Sequence, residues 1–371
     1  MKSILLGTFL ACILTEDLGD LQTLPPAVYP LALCNDGTQA NYHVQNYHQQ
    51  GKIVINLQGG AYCDSIEDCT ERCETTNLCT ADKAPEYGNI LSPLSLAEDP
   101  FKDYTQVRVH YCSSDTWSGT RAATDETGGF HFYGKYIFDA VAQDLALNFQ
   151  LLEATHVVLA GGSAGAQGAA LRCDDFNDWV KFNNPTIDVK CLLDSPEFYP
   201  PEVHTEDCAN RDPGYQNYLS NFWERIEDET CLEFAEENAL ENVGELCGVT
   251  ARFLQFVTTP LAMLTSHEDA VFTGAFGCQP YPNSPEHEQF RADWMAAHSD
   301  LVMDYISDFP DMSWFAPNCK THVIMMHPQM SVIEEQTGEL TDVFTFVSQW
   351  LNEDRVVYAN DDVNTDNPTC N

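Results

Sequence analysis

The chain has 371 residues, 44% of them hydrophobic, enough to bury the core of one large domain or two small ones. Its 57 acidic residues against 17 basic ones leave a formal net charge of −40. A surface this negative repels nucleic acid and anionic membranes, which excludes both as partners.

Taken from the N-terminus, the chain begins with one Lys and an apolar run, Ile4 to Leu14. The run is too short to span a bilayer and reads as a secretory signal within residues 1–19. Removing Cys12 with it takes the 15 cysteines to an even number, enough for seven disulfides in an oxidising compartment. No further apolar run of about 18 residues follows, so the mature chain is expected to be soluble and extracellular. A polar segment with Cys34 precedes Lys52-Ile53-Val54-Ile55-Asn56-Leu57, a buried strand by its β-branched run, which ends in Gln58-Gly59-Gly60-Ala61. The next stretch reads as a loop dense in cysteine, with Cys69, Cys73 and Cys79. Lacking a local His, it suits disulfides rather than zinc. Thr105 to Tyr111 is a second strand, and a helical pattern follows with Ile137, Ala140, Val141, Leu145 and Leu147 on its apolar side.

Thr155 to Ala160 is apolar and β-branched, and it runs into Gly161-Gly162-Ser163-Ala164-Gly165, a G-x-S-x-G sequence followed by helix-compatible small residues. Strand, sharp turn and helix in that order form a nucleophile elbow. The glycines remove side chains that would collide with the adjoining strand and helix, and the serine hydroxyl stands at a helix N-terminus, where the dipole favours a developing oxyanion. Ile187 to Leu193 is the next strand and ends at Asp194. Residues 202–252 turn helical and acidic, as an insertion over the carboxyl edge of the sheet, and Pro260 to Thr265 restores the strand pattern. A second insertion is expected near 275–318. Cys319 to His327 supplies the last strand-like run, Val343 to Leu351 a closing helix, and an acidic tail reaches Cys370. Strands alternating with helices imply a mostly parallel sheet with helices on both faces, an α/β fold.

A serine nucleophile needs a base and a group that orients the base. In α/β-hydrolases the order along the chain is Ser, acid, His. After Ser163 come His204, His267, His287, His298, His322 and His327, of which His322 and His327 flank the last strand-like run. Asp194 and Asp269 each follow a strand; the later position is the usual one in this fold. The N–H of Ala164 and the Gln58-Gly59-Gly60-Ala61 loop stand where the fold draws its oxyanion donors.

These residues carry a family resemblance. Leu57-Gln58-Gly59-Gly60-Ala61-Tyr62-Cys63 resembles L-E-G-G-(G/W)-(W/Y)-C of the secreted pectin acetylesterase and Notum esterases, and Tyr111-Cys112-Ser113-Ser114-Asp115-Thr116-Trp117-Ser118-Gly119 resembles their Y-C-S-S-D-V-W-S-G. Gly161 to Gly165 is similar to G-(S/C)-S-A-G, Leu193-Asp194-Ser195 to Phe198 to D-(S/A)-G-x-F, Ser266 to Asp269 to S-x-Y-D, and Cys319 to His322 to C-x-x-H. The resemblance implies one α/β-hydrolase domain over residues 20–371 with disulfide-stabilised insertions. In it Ser163 is the nucleophile, Asp269 the orienting acid and His322 the base, while Gly60, Ala61 and Ala164 supply oxyanion N–H groups. It implies neither metal nor organic cofactor, and an ester substrate that is an acetylated polysaccharide. The alternatives are removal of a long acyl chain from a protein, as in Notum, and a binding protein without turnover. At the position of Ala61 the acetyl-removing members carry Gly and Notum carries Trp. Two departures stand out: Gln58 replaces a Glu, and Glu268 replaces the Tyr before the acid.

Overall fold

The computed structural model describes residues 20–47, 51–82, 98–200, 215–277, 285–333, 338–352, 356–364 and 367–370, with the backbone alone at 275–277 and 286–287. The expected signal segment, Cys208, Cys278 and His204 lie outside these residues. Eleven strands are described: β1 Asp20–Thr23, β2 Asn41–Gln45, β3 Lys52–Leu57, β4 Thr105–Val109, β5 His156–Gly162, β6 Asp188–Asp194, β7 Leu261–Leu264, β8 Ser313–Ala316, β9 Ser331–Ile333, β10 Leu340–Asp342 and β11 Tyr358–Asn360. Nine form one sheet in the order β1-β2-β4-β3-β5-β6-β7-β8-β11. β1 and β2 run antiparallel to their neighbours, and every pairing from β4 to β11 is parallel.

The near-continuous apolar character of the central strands follows from burial on both faces. Ile53, Ile55 and Leu57 of β3 join one core with helices α2, Gly134–Asn148, and α3, Ala164–Asn183. Val54 points the other way, with Val158, Ala160 and Leu192, into a second core closed by Phe344, Phe346 and Val347 of the C-terminal helix. That alternation, two residues to the period, puts helices on both faces as expected.

β3 and β5 are neighbours, yet the chain leaves β3 for β4 on one side and β5 for β6 on the other. Open α/β sheets bind ligands at such a switch point, outside the carboxyl ends of the strands. The glycine loop after β3 and the elbow after β5 meet there: a Cβ on Gly59 would fall 2.2 Å from Gly162 O and 2.9 Å from Ser163 Cβ.

Four sequence-based expectations are corrected. The polar N-terminal segment contains β1, the edge strand of the sheet, and β2, whose buried Tyr42 and Val44 alternate with polar neighbours. The cysteine-dense loop holds helix α1, Ile66–Thr75, whose Ser65 cap accepts the Asp68 N–H. Leu147 is exposed rather than apolar-side. Cys319 to His327 is no strand: β8 comes earlier, inside the stretch 275–318, and Ile324–Met326 is a 3₁₀ turn. The N–H groups of Ile324 and Met325 that a strand ladder would use are held instead by the Asp194 carboxylate, at 2.8 and 2.9 Å.

Between β6 and β7 lie helices α4, Tyr215–Trp223, α5, Glu229–Glu237, α6, Val243–Cys247, and α7, Thr250–Phe253. They reach the loops after β3 and β4 through Trp223 Nε1, which donates to Cys63 O at 3.0 Å, and through the N–H groups of Thr120 and Arg121, which donate to Trp223 O. Six disulfides are described: Cys34–Cys112, Cys63–Cys69, Cys73–Cys79, Cys173–Cys191, Cys231–Cys247 and Cys319–Cys370. Among the described residues no helix is long and apolar enough to cross a membrane.

Candidate active site

Ser163 sits between β5 and α3 with φ 56° and ψ −125°. A non-glycine backbone at positive φ outside the left-handed helical well costs about 1–3 kcal/mol and persists only where the surroundings enforce it. Here they do. A Cβ on Gly161 would lie 2.1 Å from Gly165 O, and one on Gly165 would lie 1.9 Å from Leu57 O, so only glycine lets strand, turn and neighbouring strand pack this closely. The Ser163 N–H donates to Asp194 O at 2.8 Å, tying the elbow to β6. Ala164 opens the 20-residue α3, which aims the helix N-terminus at the serine.

The loop after β3 is shaped by two residues at positive φ, Gly60 at 137° and Ala61 at 56°. Trp117 Nε1 donates to Gln58 O at 3.0 Å, and Arg72 Nη2 donates to Gly60 O at 2.5 Å. The Gln58 side chain serves the same loop without a charge: its Oε1 accepts the Tyr111 N–H at 3.2 Å and lies 3.1 Å from His110 Nδ1. Burial pushes His110 down to about 4, so that ring is neutral near pH 7.

Asp269 follows β7 and His322 follows β8, at the same carboxyl edge. Their contact is close, 2.7 Å from Asp269 Oδ2 to His322 Nδ1. The other oxygen, Oδ1, accepts the N–H groups of Val271 and Phe272 at 2.9 and 3.4 Å, capping helix α8, Ala270–Gly277. Asp269 is buried, and the edge of the His322 ring meets Phe272 with centroids 5.6 Å apart.

Of the alternatives weighed from the sequence, Asp194 is engaged elsewhere. Its carboxylate accepts Ile324 N–H, Met325 N–H and the Ser195 hydroxyl, and burial pushes its pKa up to about 6. Ser195 Oγ in turn accepts the Val323 N–H at 3.0 Å. The end of β6 thus holds three consecutive N–H groups just after His322, a brace that the alternation of strands did not reveal. His327 lies beyond the 3₁₀ turn, and Asp269 faces His322. His267 and His298 are buried against each other, Nδ1 to Nδ1, at 3.1 Å.

Residues 15–371 match the pectinacetylesterase family model. The chain belongs to that family. Relatives include palmitoleoyl-protein carboxylesterase notum1a of Danio rerio, 35% identical over 167 residues, 44% of this chain and 33% of that protein. Palmitoleoyl-protein carboxylesterase NOTUM of Drosophila melanogaster is 28% identical over 210 residues, 54% of this chain and 31% of that protein. Pectin acetylesterase 11 of Arabidopsis thaliana is 27% identical over 207 residues, 55% of this chain and 50% of that protein. The chain therefore spans a third to a half of the length of these relatives. Within the family pattern, the departure at Glu268 has a local account: its carboxylate pairs with Arg291 Nε at 2.5 Å and lies 3.6 Å from Lys320 Nζ, tying the acid loop to helix α9, Pro285–Asp308, and to the His322 loop.

Proposed function

We propose that the chain is a secreted serine carboxylesterase that removes short acyl groups, acetyl above all, from a polysaccharide. The observation that carries this reading is the 2.7 Å contact of Asp269 with His322 at the sheet edge where the strained Ser163 stands. With Nδ1–H donated to Asp269, His322 Nε2 is free of its proton and takes the one on Ser163 Oγ as that oxygen bonds to the acyl carbon. The carbonyl oxygen becomes an oxyanion, received by the N–H groups of Gly60, Ala61 and Ala164. Collapse breaks the ester bond, His322 returns its proton to the leaving alcohol, and an acyl-serine remains. Water then loses a proton to His322, attacks the acyl carbon and frees the acid, restoring Ser163. The disulfides accord with secretion into an oxidising compartment.

Ala61 supports a short acyl group. A bulky aromatic at that place walls an apolar pocket, where a long chain gains roughly 0.8 kcal/mol per buried methylene, and alanine supplies almost none of that wall. As for the alcohol side, a chain of −40 repels a polyanion such as pectin at low salt. Screening that shortens from about 8 Å at physiological salt to about 3 Å at 1 M relieves the repulsion. A second reading, removal of a long acyl chain from a protein, is favoured by identity: 35% to the notum1a esterase against 27% to pectin acetylesterase 11. An ester series separates the two. With acetyl, butyryl and octanoyl esters of one alcohol, kcat/KM is expected to fall as the chain lengthens; a steady climb would replace the acetylesterase reading with the long-chain one.

A further inference from the structure

We infer that Arg72 is a positioning residue for the oxyanion loop, fixing and polarising the peptide that carries the Ala61 N–H. The inference rests on the proposed esterase reading and deepens it. The peptide between Gly60 and Ala61 joins two residues at positive φ, one of them glycine, so little in its own backbone selects one orientation. In a trans peptide the C=O and N–H point in opposite directions. Whatever grips Gly60 O therefore aims Ala61 N–H the other way. Arg72 Nη2 makes that grip at 2.5 Å, while its Nε donates to Ser114 Oγ at 2.8 Å and its guanidinium lies over the Tyr111 ring, 5.8 Å from the centroid. On a chain with 57 acidic residues, the hydrogen bonds described for this arginine go to two uncharged oxygens. A cation on a carbonyl oxygen draws electrons from the amide and strengthens its N–H as a donor.

The surroundings make the arginine rigid. Arg72 lies on α1 between Cys69 and Cys73, and those cysteines pair with Cys63 and Cys79 on either side of the helix. Leu78, from the same clamp, closes on the loop: a Cβ on Gly60 would lie 2.6 Å from Leu78 Cδ1. On the far side Trp117 Nε1 holds Gln58 O. Both carbonyls that bracket the glycine pair are thus pinned, and the two small disulfide loops acquire a purpose beyond stability.

The test compares wild type with Arg72→Gln and Arg72→Lys for acetyl-ester turnover and for binding of a methyl trifluoromethyl ketone, which forms a tetrahedral adduct on a serine. Losing one oxyanion donor costs roughly 10²–10³ in kcat. Arg72→Gln is expected to lose about 10–10² in kcat with KM changed less than about threefold, to weaken ketone binding by the same factor, and to regain activity when guanidinium is added. Arg72→Lys, which keeps the charge and a donor, is expected to fall between the two and serves as the reporter if Arg72→Gln does not fold. A folded variant with wild-type kcat and ketone affinity, or a loss confined to KM, overturns the inference. An inactive wild type that forms no ketone adduct instead overturns the esterase reading itself.

Discussion

Asp269 divides its two oxygens between a histidine and a helix N-terminus, and in the proposed mechanism this division singles out the histidine that acts as the base. His322 meets Oδ2 while Val271 and Phe272 occupy Oδ1. His322→Ala is accordingly expected to lose several orders of magnitude in kcat, whereas His327→Ala, outside that contact, stays within about tenfold of wild type; the reverse ranking in steady-state assays would move the base five residues along. The buried histidine pair gives a prediction of another kind. His267 Nε2 donates to Asn360 Oδ1 at 2.8 Å, so its Nδ1 accepts from His298 Nδ1, and His298 Nε2 accepts from the Thr265 hydroxyl at 3.1 Å. Burial pushes His267 down to about 4 and His298 well below its ordinary value. Both are neutral in the folded chain, so their contribution is intact above the unfolded value near 6.5 and is lost as pH falls through that value toward about 4. Each proton refused by the fold costs about 1.4 kcal/mol per pH unit in that window. Asp115 and Asp194, raised by burial to about 6, act with the opposite sign there, so the comparison has to be differential. The Tm deficit of His267→Gln relative to wild type is expected to narrow as pH falls from 7 to 4.5; a constant deficit would contradict the neutral pair.

At the scale of elements, the elbow is held by backbone that approaches too closely for any side chain. Gly165→Ala sets a methyl group against Leu57 O on β3, with no flexible side chain to give way. A loss of about 1–3 kcal/mol or more in urea unfolding, together with a large loss of activity, is expected, and an unchanged midpoint would show that the turn is looser than described. The elbow was legible in the sequence because its chemistry is local: strand, glycines, serine and helix are contiguous. The parallel strands β3 to β7 were legible for the same reason, since burial on both faces writes an unbroken apolar run, whereas the short β8 and β11 fell inside an expected insertion and an expected tail. What escaped depends on partners distant in sequence. β1 and β2 carry mixed polar residues, and their strand state is fixed by the pairing of β2 with β4 and of β1 with β2. The run before His327 has strand composition, but the Asp194 carboxylate, 130 residues earlier for Ile324, takes the N–H groups that pairing would need. Arg72 and Trp117 were visible only as parts of a cysteine-rich segment and a motif; their grip on the loop after β3 is a tertiary fact.

For the molecule as a whole, nine strands with a core on each face place three separate loops at one edge. Ser163 comes from the loop after β5, Asp269 from the one after β7 and His322 from the one after β8, so the fold, more than any one segment, assembles the site. The most direct test of the central claim, that Ser163 carries the acyl group through turnover, is to quench the enzyme with acid during hydrolysis of an acetyl ester and map the acetylated peptide by mass spectrometry. The account predicts one acetyl group on the peptide containing Ser163, absent in Ser163→Ala, which folds normally and loses turnover by several orders of magnitude. Near-native turnover by Ser163→Ala, or acetyl trapped on another residue, would contradict it.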